Sequence, residues 1–136
     1  MNRDAVVHIN PESLHSSPGF TWAVRVPAGA EMIYIGGLNG VGPDGQVVGP
    51  GFADQTRQVF ANLTACLEAA GADITNVVKW TILAVAGSSV EEGFAVFGEV
   101  WPRDAAPPAI TVAFVSSVGP PGALLEIEAV AAILAR

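Results

Sequence analysis

Apolar residues recur with a helical period along Phe52–Ala70. They keep a spacing of about 3.6 residues, and the glycine that follows, Gly71, is typical of a helix end. We therefore predict a helix whose apolar face comprises Phe52, Thr56, Val59, Phe60, Leu63, Cys66, Leu67 and Ala70. Cys66 is expected to be a buried structural thiol. The polar positions are expected to face solvent: Arg57, Gln58, Asn62 and Glu68.

A second helix is predicted after Ser89, because Ser89 and Glu92 have the spacing of a capping box. Pro102 marks its end. Its buried stripe is expected to contain Val90, Phe94, Phe97 and Trp101.

Three later stretches favour β-strands. Val77–Val85 alternates and is β-branched, and Lys79 is its one charged residue. Ala109–Val115 is apolar on both faces, as in a strand that is covered on both sides. Leu124–Leu134 contains strong helix formers, but its first half alternates and sets Glu126 and Glu128 on one face. On the residues alone, this last stretch is ambiguous between helix and strand.

The first half of the chain predicts extended segments and turns. Ala5–Ile9 reads as extended, and Phe20–Val26 and Met32–Gly36 are predicted to form a hairpin through Pro27–Gly29. Seven glycines follow between residues 36 and 51, with a turn at residues 43–45. A nucleotide-binding loop is rejected, because no glycine fingerprint opens a helix and no Walker lysine is present.

Composition limits the class of protein. The chain has 136 residues, 51% of them hydrophobic and 14% charged, so we expect one domain over 1–136 that buries surface against another subunit. Its net charge is −7 and its six Lys and Arg residues are scattered, which argues against nucleic-acid binding. We find no signal-like or membrane-spanning pattern, and expect a cytoplasmic protein without membrane contact.

The sequence offers little for a metal or cofactor. His8 and His15 have no partner residue at metal-ligand spacing, and Cys66 is the sole cysteine. We predict neither a metal site nor a cofactor.

An ordered set of motifs resembles one family of small proteins. It comprises Gly36-Gly37 before Pro43-Asp44-Gly45, the helix Gln55–Gly71, the strand Val77–Val85, and Pro108-Ala109 before Glu126-Ile127-Glu128-Ala129. In this order they resemble the Rid family (YjgF/UK114, or "endoribonuclease L-PSP"), trimeric enamine and imine deaminases. The resemblance implies an α+β, chorismate-mutase-like (YjgF-like) fold, with a mixed, mostly antiparallel sheet packed on two helices. It also implies a homotrimer with a small-molecule ligand in each inter-subunit cleft.

The resemblance also implies site residues. Glu126 matches the acid that orients the attacking water, and Phe20, Gly36, Ile110 and Val112 are the candidate substrate-binding residues. Ile110 stands where deaminating members have the arginine that binds the substrate carboxylate, and an alkyl side chain offers no donor in its place. Arg103, Arg25 or Lys79 could replace it, and the role of Glu128 stays open.

Two hypotheses follow. In the first, the protein hydrolyses an imine or enamine that is not a 2-imino acid, with water positioned by Glu126. In the second, it is a catalytically inactive trimer that binds a small molecule or a partner.

Overall fold

The computed structural model describes residues 3–135, which contain six β-strands and two α-helices. Their bounds are β1 Val7–Ile9, β2 Ala23–Arg25, β3 Glu31–Leu38, α1 Phe52–Ala69, β4 Val77–Val85, α2 Val90–Val100, β5 Ala109–Val115 and β6 Leu125–Ile133. A single 3₁₀ turn, Ile74–Asn76, precedes β4.

Four strands form the main sheet in the order β3-β6-β4-β5. β6 runs antiparallel to both of its neighbours, whereas β4 and β5 are parallel. Both helices pack on one face of this sheet, so the prediction of an α+β fold with a mostly antiparallel sheet on two helices is confirmed.

The core lies between this sheet face and the helices. Trp80 on β4 is fully buried, and its ring lies 5.4–5.5 Å from those of Phe60, Phe97 and Trp101. Aromatic rings at this separation add to the stability gained from burying their area.

The C-terminal stretch is a strand despite its helix-forming residues. β6 lies between β3 and β4, so its backbone is paired along both edges. Burial of Leu125, Ile127 and Ala129 under α1 adds to this pairing and outweighs local helix propensity.

The hairpin predicted for Phe20–Val26 and Met32–Gly36 is wrong. A turn does form there, since Ala30 N–H donates to Pro27 O at 3.4 Å and Gly29 has a φ of +86°. The strands on its two sides diverge, however: β2 pairs with β1 in a separate two-stranded sheet, and β3 pairs with β6. A turn motif predicts a reversal of the chain, but partners distant in sequence decide the pairing.

β5 is not covered on both sides within one chain. It is the edge strand of the sheet, and Val112 and Phe114 are 45% and 52% exposed. An apolar edge strand is a surface that another chain can cover.

The prediction for Cys66 is also wrong, because this thiol is exposed. Gln55 lies 11 residues earlier on the same flank of α1, about three helical turns away, and is buried. Loops cover α1 at Gln55, where its side chain contacts Gly49 O and Gly122 O, but the last turns of the helix extend beyond them. Periodicity identifies a flank but not how much of its length is covered.

Candidate functional site

A cavity of about 400 Å³ lies between the helices and the helix-facing side of the sheet. Three of the predicted binding residues, Phe20, Ile110 and Val112, line it together. Ser17 and Thr56 contribute the polar side chains of its described lining, and the Thr56 hydroxyl already donates to Phe52 O at 2.7 Å. No charged side chain lies among the described lining residues, so the cavity suits an apolar guest.

The first half of α2 forms one wall of this cavity. Ser89 caps the helix as predicted, with its hydroxyl accepting from Glu92 N–H at 3.2 Å. The predicted stripe is only half correct, because Phe97 and Trp101 pack on the core whereas Val90 and Phe94 are 50% and 53% exposed. These two side chains line the cavity, so open space rather than packed side chains lies beside them.

A short N-terminal segment, Ser17–Phe20, closes one side of the cavity. A Cβ at Gly19 would lie 2.4 Å from a ring carbon of Phe94, so any other residue here would displace this ring. Phe20 is held edge-on by Trp22, with ring centroids 5.0 Å apart. The Trp22 indole N–H donates to His15 O at 2.8 Å, which fixes the aromatic pair.

The predicted acids lie on the opposite face of the sheet. Leu125 and Ile127 point into the cavity, so Glu126 between them points away from it. Glu128 follows on the same open face, beside a depression of about 310 Å³ that Tyr34, Gly36 and Lys79 also line. Glu126 and Ile110 of one chain therefore do not share a cleft.

Glu126 rests against a β-bulge in β3. Pairing shifts between Ile35 and Leu38, so two glycines lie opposite one β6 residue. The predicted Gly36 has open space at its Cβ position, whereas a Cβ on Gly37 would lie 2.6 Å from the Glu126 carboxyl carbon. Gly37 is thus the glycine that admits the acid, and the Gly-Gly pair in the sequence did not distinguish the two.

Two polar residues that organise this region were not predicted. Gln55 donates to Gly122 O at 3.1 Å and accepts from Leu124 N–H at 2.8 Å, which fixes the loop that leads into β6. Asn39 donates to Leu125 O at 2.9 Å. Both hydrogen bonds join residues more than 60 positions apart in the chain, so no local sequence pattern predicts them.

None of the candidate cations lines the described part of the cavity. Lys79 lies on the open face and donates to the Thr111 hydroxyl at 2.5 Å. Arg103 is exposed in the loop after α2, and Arg25 lies on β2. Among the described residues, therefore, no cation lines the cavity beside Ile110.

Residues 3–135 bring together no group of three or more His, Cys, Asp or Glu side chains that could hold a metal ion. No helix in this range combines the length and hydrophobicity needed to cross a membrane.

Comparison with known proteins identifies the family. The sequence profile of the family described as endoribonuclease L-PSP matches residues 13–133. This chain belongs to that family.

Its relatives include imine deaminases. The human protein named 2-iminobutanoate/2-iminopropanoate deaminase is 36% identical over 100 residues, which cover 73% of this chain and 71% of the human protein. A RutC family protein from Pyrococcus horikoshii is 34% identical over 101 residues, covering 74% of this chain and 78% of that protein.

Solved structures agree with the Rid fold. A Rid-family protein of unknown function from Yersinia pestis superposes with a TM-score of 0.82 at 31% identity, covering 94% of this chain and 98% of that one. The predicted Rid membership and YjgF-like fold are thus confirmed.

Proposed function

We propose that this protein is a Rid-type hydrolase that deaminates imines or enamines whose substituents are apolar and uncharged. The observation that carries the proposal is the cavity of about 400 Å³ beside Ile110, whose described lining has no charged side chain. The names of the relatives support the reaction type, since several are called 2-iminobutanoate/2-iminopropanoate deaminase.

The reaction that fits these residues is hydrolysis of a C=N bond. The oxygen of water adds to the imine carbon, and the nitrogen gains a proton. The C–N bond then breaks, so that the carbon keeps the oxygen as a carbonyl and the nitrogen leaves as ammonia. A carboxylate such as that of Glu126 orients the water, accepts its proton and returns a proton to the leaving nitrogen.

The lining of the cavity selects against 2-imino acids. A substrate carboxylate beside Ile110 loses its water shell and gains no cation or donor array in return. An alkyl or aryl substituent gains the free energy of burying apolar area at the same place. The preference therefore follows from a missing charge at one position.

We further propose that the working unit is a homotrimer in which neighbouring chains complete each site. Ile110 and Glu126 lie on opposite faces of one sheet, so one acid can serve one cavity only if a second copy supplies it. The exposed edge strand β5 supports this arrangement, and so does Tyr34 on the open face, which is 77% exposed. The ligand then sits in a cleft between subunits.

The test is an ammonia-release screen. Neutral imines generated by an amine oxidase, and 2-iminopropanoate generated by an amino-acid oxidase, are each hydrolysed with and without the protein. We expect acceleration of a neutral imine, little or none of 2-iminopropanoate, and loss of the acceleration in Glu126→Ala. Rapid turnover of 2-iminopropanoate by the wild type contradicts the proposed substrate class.

A second candidate is a binding protein without turnover. It is favoured by the cavity itself, whose described lining holds no residue suited to general acid or base catalysis. In that case apolar amines or ketones raise the melting temperature in a saturable way, whereas no imine in the screen releases ammonia faster than in buffer.

A further inference from the structure

Asn39, in the loop that follows β3, contacts the strand that carries Glu126. Its side-chain amide donates to Leu125 O at 2.9 Å and lies 3.5 Å from the Oε1 atom of Glu126. Asn39 is half-buried, and so is Glu126. A residue 87 positions away in sequence thus brings a hydrogen-bond donor to the acid.

Helix α1 holds Asn39 in place. Asn62 Nδ2 donates to Asn39 O at 3.1 Å and to Val41 O at 2.9 Å, so one amide spans the start of the loop. Gln58 Nε2 donates to Asn62 Oδ1 at 2.9 Å. This bond fixes the orientation of the Asn62 amide, because its oxygen is used and its NH₂ group is left for the two carbonyls. Gln58 and Asn62, two of the positions predicted to face solvent, therefore hold the loop that contains Asn39.

Gly37 confines the carboxylate from the other side. A Cβ at this position would lie 2.7 Å from Glu126 Oε2, closer than carbon and oxygen can approach. One oxygen of the carboxylate thus lies over bare backbone, while the other faces the Asn39 amide. The Glu126 carboxylate therefore lies between Gly37 and Asn39.

We propose that Asn39 is the positioning residue of Glu126. Supported by Gln58 and Asn62, it holds the carboxylate in the position from which the carboxylate orients the water. Residues that orient a reacting group and donate to it raise its effectiveness without touching the substrate. The inference rests on the proposed function, in which Glu126 activates the water.

The first test is Asn39→Leu, which keeps the size of the side chain and removes the amide. We expect kcat for the best neutral imine to fall by roughly tenfold or more while KM changes by less than about twofold. Asn39→Asp should be no better than Asn39→Leu, since it places a second carboxylate beside Glu126 instead of a donor. Asn39→Gln should restore part of kcat because it keeps an amide.

Asn76→Leu is the matched control. Asn76 also donates to a backbone carbonyl of β6, Ala132 O at 3.3 Å, but at the far end of the strand from Glu126. We expect it to lower the melting temperature without lowering kcat. If Asn39→Leu behaves like Asn76→Leu, Asn39 is merely structural and the inference is overturned.

A second measurement keeps the inference separate from the proposed function. The position of the Glu126 carboxylate is compared in crystal structures of the wild type and of Asn39→Leu. In Asn39→Leu the carboxylate should leave the place that it occupies beside the Asn39 amide, whether or not any imine is turned over. If the wild type releases no ammonia but the carboxylate moves in Asn39→Leu, the proposed function fails and the contact stands; a carboxylate that keeps its position in Asn39→Leu overturns the inference.

Discussion

The two faces of the sheet have opposite chemistry. The helix-facing side bears Ile110, Val112, Leu125 and Ile127 around a cavity that, in its described lining, has no charge. The open side bears Glu126, Glu128 and Lys79, and the core cluster between the sheet and the helices lies on its other side. Along β6 the apolar and the acidic side chains lie on different faces, because successive side chains of a strand point to opposite sides of the sheet.

This difference shows how the proposed site is divided. One face offers a place for an apolar group but no acid, and the other offers an acid but little apolar shelter. A single chain therefore holds two incomplete halves of one site. A neighbouring copy can unite them by bringing its open face to the mouth of the cavity.

The largest effect is expected from mixing two inactive variants. Glu126→Gln removes the acid, and Val112→Trp fills the cavity of the same chain from its rim. Each alone should lose at least about 100-fold in ammonia release. Co-refolded in equal amounts, they should recover roughly a quarter of the wild-type activity, because random trimers place an intact acid beside an intact cavity at about one site in four.

The matched control is Glu128→Gln, which removes the neighbouring acid on the same open face. This variant should release ammonia as fast as the wild type. Sedimentation should show a trimer in every sample. If the mixture stays inactive although mixed trimers form, the two faces do not cooperate across subunits.

A smaller effect is expected from Ile110→Arg, which alters the cavity face alone. The guanidinium offers a two-pronged donor to a carboxylate, so activity on 2-iminopropanoate should rise by about 10- to 100-fold, corresponding to one charge-assisted hydrogen-bonded contact. Activity on neutral imines should fall, because a charge now lines the cavity. Ile110→Met is the control of similar reach without charge; an equal gain in both variants would exclude the charge as the cause.

Much of the fold could be predicted from the sequence because it depends on local periodicity. The start of α1 at Phe52 and both ends of β4 agree with the prediction, since Gly71, alternation and β-branching act within a few residues. The exclusion of Glu126 from the core also followed from alternation once β6 was taken as a strand.

The rest of the site could not be predicted, because it depends on which distant segments meet. Asn39 and Gln55 hydrogen-bond with residues of the β6 region that lie 67 to 87 positions away, and in sequence each is an ordinary polar residue. The placement of Ile110 and Glu126 on opposite faces likewise required the register of β5 on β4 and of β4 on β6. Sequence motifs identified the candidate residues, but the order and register of the strands determine which of these residues lie close together.

The third prediction concerns Gln55, which fixes the loop that leads into β6. Its side chain is 1% exposed and hydrogen-bonds with Gly49, Gly122 and Leu124, just before the strand that carries Leu125 and Glu126 on its two faces. Gln55→Leu removes the three hydrogen bonds that hold Gly49, Gly122 and Leu124, and we expect a loss of about 2–4 kcal/mol in the free energy of unfolding. Denaturant unfolding measures it, with exposed Gln46→Leu as the control; equal effects would show that the bonds contribute nothing specific.

The smallest effect is expected at the surface of the helical layer, where Arg57 of α1 and Glu99 of α2 form a two-pronged ion pair with both N···O distances at 3.0 Å. The hydrogen bond from Arg57 lowers the pKa of Glu99 below its ordinary 4.5. The pair therefore stabilises the fold above pH 4.5, and this contribution disappears as pH falls through the lowered value. Glu99→Gln should lower the melting temperature slightly at pH 7, where exposed pairs contribute little, and by progressively less as the pH falls below 4.5 and through the lowered pKa. Exposed Glu68→Gln on α1 is the control; a deficit in Glu99→Gln that persists unchanged into acid would mean that helix packing over the cavity, not the ion pair, had been disturbed.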